Sequence, residues 1–242
     1  MSLSGLRRVL ARAAPAVACA LALVLASQAA RAAAPDAACA VPVALVERFI
    51  PADCEACWRS GDAPAGAALV LDWIVPGARG DEAALAAAAI AEAAPRAGRL
   101  DPARTLVRRH ALAAGHGPAV IVEQGPPWQG YIAAQVHAVR EPGTRPARDT
   151  DGRGARTAAY LALVEQVRAG EEGTPVERML VRAVVGPLPL DAPDAVVTHL
   201  HAFRIPQGSK PARLAAVGWV ESAGGKVLAA APVEPDGCPP AR

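Results

Sequence analysis

Apolar positions fall along this chain in short runs closed by proline and glycine, and few of the runs carry a helical period. Residues 41–50 (VPVALVERFI) hold six apolar side chains ahead of Pro51, which predicts a buried strand interrupted by Glu47 and Arg48. Residues 67–75 (AALVLDWIV) predict a second strand, ended by Pro76-Gly77. Residues 119–122 (AVIV) and 131–140 (YIAAQVHAVR) read as short strands on either side of the Gly125-Pro126-Pro127 turn. Two helices are expected between these pairs. Residues 81–94 (DEAALAAAAIAEAA) are rich in alanine, free of Gly and Pro, and begin with two acids that suit a helix N-terminus. Asp101-Pro102 opens a second helix that would run to His110.

Beyond residue 140 the pattern changes. Residues 141–156 are rich in Gly, Pro, Arg and Asp without apolar periodicity and read as a linker or long loop. Strands are then expected at 159–167, 179–185, 196–204, 214–221 and 227–231, with the first of these also compatible with a helix. Gly224-Gly225 between WVES and KVLAA is a two-residue hairpin signal. Short strands separated by turn residues predict a small β-sheet or sandwich for this half.

Composition adds a compartment. Residues 1–32 have the form of an export signal: Arg7, Arg8 and Arg12 without an acid, an apolar run over 13–26, and Ala30-Arg31-Ala32 as a small-x-small cleavage site. The apolar run is too short to span a bilayer, so no membrane attachment is expected after cleavage. Removal of residues 1–32 takes four arginines and no acids, so Lys+Arg fall from 25 to 21 against 23 acids. The full-length charge of +2 becomes −2, and with no basic stripe nothing favours nucleic acid as a partner. Four cysteines remain, Cys39, Cys54, Cys57 and Cys238, and an even number in an exported chain favours disulfides. Cys54–Cys57 with Cys39–Cys238 is the economical pairing. The second bond would close a loop of ~200 residues and add ~4–5 kcal/mol in the chain-entropy model. Bonds from Cys54 or Cys57 to Cys39 or Cys238 are the alternatives.

Cys54-Glu55-Ala56-Cys57 follows the first predicted strand at once. With Val-Glu-x-Phe leading into that C-x-x-C, Gly117-Pro118 ahead of AVIV, and AVGWV followed by GKVL and a last Cys238, the chain resembles the exported bacterial proteins of domain-of-unknown-function family 1223, which look thioredoxin-like. The resemblance implies an α/β, thioredoxin-like portion over 33–140 carrying the dithiol, the linker at 141–156, and a β-rich portion over 157–242. It further implies a cis Pro118 across from the cysteines, holding an incoming chain. At the first turn of a helix, Cys54 would meet free backbone N–H groups and act as the nucleophile, with Cys57 as the resolver. Asp53 and Glu55 would oppose that effect by raising the pKa of Cys54, which predicts a sluggish or reducing dithiol. The function expected is thiol–disulfide exchange with other exported proteins, using Cys54, Cys57 and Pro118. The alternative is a non-catalytic binding or structural protein in which Cys54–Cys57 only pins a turn.

No cofactor is expected, since phosphate loops, dinucleotide fingerprints and nucleophile elbows are missing from the sequence. His199 and His201 lie two apart on a predicted strand and share a face with Val197 and Phe203; they are read as edge or surface residues, with a pair of metal ligands as the other possibility. Asp72, inside an apolar strand, is either a solvated strand-end acid or a buried acid near the dithiol. Trp128 is expected in the core beneath the 125–127 turn, with docking of a partner through its ring as the other possibility.

Overall fold

A computed structural model describes residues 41–61, 68–112, 118–140, 157–190 and 195–233. Residues 1–40, including the expected signal, and the 141–156 segment lie outside them, as do Cys39 and Cys238 and their expected bond.

The described residues, within a unit spanning Val41–Glu234, form mostly β-structure. Ten strands are present: β1 (Ala44–Pro51), β2 (Ala68–Val75), β3 (Leu106–Ala111), β4 (Ala119–Gln124), β5 (Tyr131–Val139), β6 (Thr157–Val167), β7 (Arg178–Pro189), β8 (Val196–Arg204), β9 (Leu214–Ser222) and β10 (Val227–Pro232). The helices are single turns, α1 (Glu55–Trp58) and α2 (Ala93–Ala97). Seven strands make one mixed sheet in the order β10-β9-β6-β7-β2-β1-β3, and β4-β5-β8 make a second, antiparallel one. Among the described residues only β1–β2 and β2–β7 are parallel pairs.

This corrects the α/β, thioredoxin-like expectation. Such folds cover their parallel strands with crossover helices of several turns, and here the described part of the β1–β2 crossover, residues 52–61, holds the four residues of α1. The alanine-rich segment explains much of the difference. Instead of one helix over 81–94 it makes 3₁₀ turns at Gly80–Glu82 and Ala86–Ala88 and then α2. Two of its amides are captured by backbone beneath it, one just past the end of β1 and one in β2: Leu85 N–H donates to Ala52 O at 3.1 Å and Ile90 N–H to Ile74 O at 3.2 Å. Its early residues Ala83, Leu85 and Ala86 pack with Ile50 and Ile74. Ile90, Ala93 and Ala97 pack with Phe49 and Trp73, which alternate to the other face of the same strands. A straight helix could not bury both sets. The helix expected up to His110 is instead β3, whose half-buried and exposed residues alternate and pair with β1.

The C-terminal expectations fare better. β6 resolves the ambiguous 159–167 run as a strand, and the β9–β10 hairpin turns at Gly224-Gly225, with Gly225 N–H on Ser222 O at 2.8 Å. The large sheet joins strands from both sides of residues 141–156, since Asp72 of β2 pairs with Leu180 of β7.

One face of the large sheet carries Leu45, Phe49, Leu71, Trp73, Val164 and Trp219 beneath α2. Its other face is shared between two covers. Val122, Ile132, Ala134 and Val136 of the small sheet pack on Leu161, Leu163 and Ala216. A Cβ on Gly218 would lie 2.8 Å from Val122 and 3.1 Å from Val136, so this close approach of the sheets requires glycine. At the β1–β2 end, Cys57 and Trp58 pack on Ile50, Ile74 and Leu180.

Candidate functional site: the Cys54–Cys57 turn

β1 ends at Pro51, where the N–H of Ala52 still pairs with Val75 O at 2.8 Å, and the chain turns at once into α1. The parallel β1–β2 pair thus delivers the cysteines to its carboxyl end. Cys54 and Cys57 are joined in a disulfide with Cα atoms 5.3 Å apart. Cys54 is the N-cap of α1, and the N–H of Cys57 donates to its Sγ at 3.2 Å. The two sulfurs differ in surroundings. Cys54 is half-buried, whereas Cys57 is 8% exposed with its Sγ 3.6 Å from the carbonyl oxygen of Ala103.

The acids flanking Cys54 are both committed. Asp53 accepts from Ala78 N–H at 2.7 Å and from Arg79 Nε at 3.1 Å. Its slight burial would raise its pKa, but the hydrogen bonds of Arg79 and Ala78 and the charge of Arg79 hold it below the usual carboxylate range. Gly77 makes room for this carboxylate, since a Cβ there would meet the Asp53 oxygens at 2.3 and 2.7 Å. Glu55 pairs with Arg59 one turn on. Each acid beside Cys54 thus carries its own neutralising cation.

Behind the turn stands a residue that sequence reasoning passed over. Arg178, at the start of β7, donates to Trp58 O at 2.6 Å, Ser60 O at 2.9 Å and Thr174 Oγ1 at 2.8 Å. It also pairs with Asp72 at 3.1 Å and lies 4.7 Å from the centre of the Trp58 ring. The Trp58 indole N–H donates to Glu172 O at 2.7 Å, so the anchor is fixed at both ends. Asp72 is fully buried and is also held by Arg48 at 2.7 Å, so the solvated reading of this acid is overturned. It reaches the cysteine turn through Arg178. Nothing in the spacing of Arg178 links it to Cys54; an arginine opening an apolar run was the only signal.

Other sequence candidates lie elsewhere. Pro118 leads into β4 of the small sheet, whose residues pack in clusters that share no member with the one around the cysteines. Gly117 lies outside the described residues, and so does the bond between them. His199 and His201 do share a face of β8, with ring centres 6.1 Å apart, and His201 sits against Phe203. The Nε2 of His199 is buried without a partner. Burial first, and then the neighbouring His199, push the pKa of His201 down. Among the described residues no group of three or more His, Cys, Asp or Glu side chains is placed to hold a metal ion. Trp128 is 73% exposed rather than in the core, because its backbone closes a tight bridge with Tyr131 that turns the ring outward. No described helix is long and apolar enough to cross a membrane.

Comparison of the chain with protein-family models, with curated proteins and with solved structures gives no match.

Proposed function

We propose that Cys54 and Cys57 form a redox-active centre that exchanges disulfides with thiols of other exported proteins. The observation that carries this reading is the asymmetry of the pair: a half-buried Cys54 whose sulfur receives a backbone N–H, backed by a buried Cys57. In the oxidising direction a partner's thiolate attacks Cys54 Sγ, the Cys54–Cys57 bond breaks, and Cys57 leaves as a thiolate. Its burial favours uptake of a proton, and the new S–H can donate to Ala103 O. The partner's second thiolate then attacks the mixed disulfide at its own sulfur. Its disulfide forms and Cys54 leaves as a thiolate, which the Cys57 N–H stabilises. Export, read from residues 1–32, would put this chemistry in a compartment where protein disulfides persist.

The test is a redox titration with alkylation and mass mapping. Opening of the Cys54–Cys57 bond between about −120 and −270 mV supports exchange, and resistance below about −300 mV makes it a structural staple. A second reading, a binding protein whose disulfide only fixes a turn, is favoured by a cavity on the opposite face of the large sheet.

A further inference from the structure

Glu47 and Phe49 point to the sheet face opposite Arg48 and Ile50, and so away from the cysteine turn. A cavity of about 550 Å³ opens on this face, within the size range of small-ligand sites. Trp73, Tyr160, Trp219 and Pro187 give it apolar walls, while Arg96, Arg108, Glu47, Glu92 and Glu221 also line it.

Most of the charge is already spent inside the protein. Arg96 pairs with Glu47 and with Glu221, the latter at 2.8 Å, and lies 5.1 to 5.7 Å from the centres of the Trp73, Tyr160 and Trp219 rings. Glu47 also meets His110 Nε2 at 3.2 Å, and Glu221 accepts from the Trp219 indole N–H at 3.2 Å. What remains unmatched is two donors, with the exposed Glu92 carboxylate unpaired beside them. The Trp73 indole N–H is buried without an acceptor, although Trp73 is 1% exposed. Arg108 donates to Arg96 O at 2.7 Å and Ala97 O at 2.6 Å, and pairs with no carboxylate. A guanidinium has five N–H groups, so three of those of Arg108 are left over, the Nε–H among them. A buried donor left without an acceptor is destabilising, and a bound acceptor would recover that loss.

We propose that this cavity binds a small monocarboxylate with an apolar body. Its carboxylate lies on Arg108 and within reach of the Trp73 N–H, and its body lies against the aromatic walls. A planar carboxylate matches the guanidinium fork in shape and charge. Glu92, exposed on the lining and without a cation, repels a dianion such as phosphate about twice as strongly as a monocarboxylate. The site is independent of the disulfide chemistry, and the binding measurements below do not read the redox state.

The experiment follows the indole N–H signals of the protein by ¹H–¹⁵N spectroscopy, with Trp73→Phe to assign the Trp73 resonance. The probes are acetate, 3-phenylpropanoate, 3-phenylpropanamide and inorganic phosphate. Both carboxylates should move the Trp73 signal downfield and saturably, 3-phenylpropanoate at the lower concentration, while the amide and phosphate leave it in place. Arg108→Gln should weaken 3-phenylpropanoate by at least about tenfold, the scale of a lost charge-assisted pair. Should that variant fail to fold, the wild-type signals still decide. An unmoved Trp73 signal with both carboxylates, or an equal response to the amide or to phosphate, overturns the proposal.

Discussion

Arg178→Met tests how the cysteine turn is held. Arg178 gives the turn two hydrogen bonds, to Trp58 O and Ser60 O, and a third to Thr174. Hydrogen bonds from a charged donor contribute ~1.5–3 kcal/mol each, but Ser60 is exposed and water would replace that partner. The contact with the Trp58 ring adds up to ~2 kcal/mol where desolvated. Against this stands the cost of burying the cation. Burial lowers the pKa of Arg178, the Asp72 charge opposes that, and the like charge of Arg48 reinforces it, leaving the net shift downward. The charge itself therefore returns little, and Asp72 keeps Arg48 when Arg178 is lost. The sum is a loss of about 2–3 kcal/mol, carried by geometry more than by charge. Urea unfolding of the oxidised protein, read by tryptophan fluorescence, would show a midpoint lower by ~1 M for a slope typical of this size. Arg178→Lys keeps the charge but not the fork and should lose nearly as much. A lysine variant as stable as wild type would refute the reasoning, and so would a methionine variant within about 0.5 kcal/mol of it.

Other outcomes follow from the same contacts. Reduction of Cys54–Cys57, or a Cys54→Ser/Cys57→Ser double variant, should cost only about 2 kcal/mol because the closed loop is so short, and the near-ultraviolet dichroism should stay native. Gly218→Ala pushes a methyl toward Val122, Val136 and Val120 and should destabilise by ~1–3 kcal/mol in the same urea assay. For Glu47, burial would raise the pKa, but the hydrogen bond of His110 and the charge and hydrogen bond of Arg96 outweigh it and hold the carboxyl below its ordinary value of 4.5. A depressed acid stabilises the fold above its unfolded pKa and loses that contribution as pH falls through the folded one. Thermal melts should therefore drop between about pH 5 and pH 2, and Glu47→Gln should flatten that slope.

What the sequence disclosed depended on whether the signal was local. The strands of the second half, the Gly224-Gly225 hairpin and the cysteine turn were legible because each rests on a short run of residues and its own breakers. Residues 81–94 were misread because helix propensity is a weak prior, and amides taken by Ala52 and Ile74 outweighed it. The run at 101–110 was misread for a related reason: the alternation of Leu106, Arg108 and His110 has meaning only beside β1. Trp128 is expected in the core because it follows a tight turn, and a two-residue reversal at Gln129-Gly130 turns it out. The cysteine pair was visible, but Arg178 and the engagement of Asp53 by Arg79 were not, since their partners are distant in the chain. The cavity was equally hidden. Its lining comes from seven separate stretches, none of which carries a motif.

The parallel pairing of β2 with β7 also sets an order of events. Cys54 and Cys57 are three residues apart and can join as soon as both are accessible. The residue that clamps their turn, Arg178, is 120 positions beyond Trp58, and the partner strand of Asp72 is equally late. A chain emerging N-terminus first therefore offers its dithiol to oxidants long before the clamp exists. The strands carrying it stay half-paired until most of the protein has followed, as expected where non-local contacts dominate. Closing the Cys54–Cys57 loop needs only neighbouring residues, whereas the grip of Arg178, which makes the site a fixed surface, needs chain 120 positions further on.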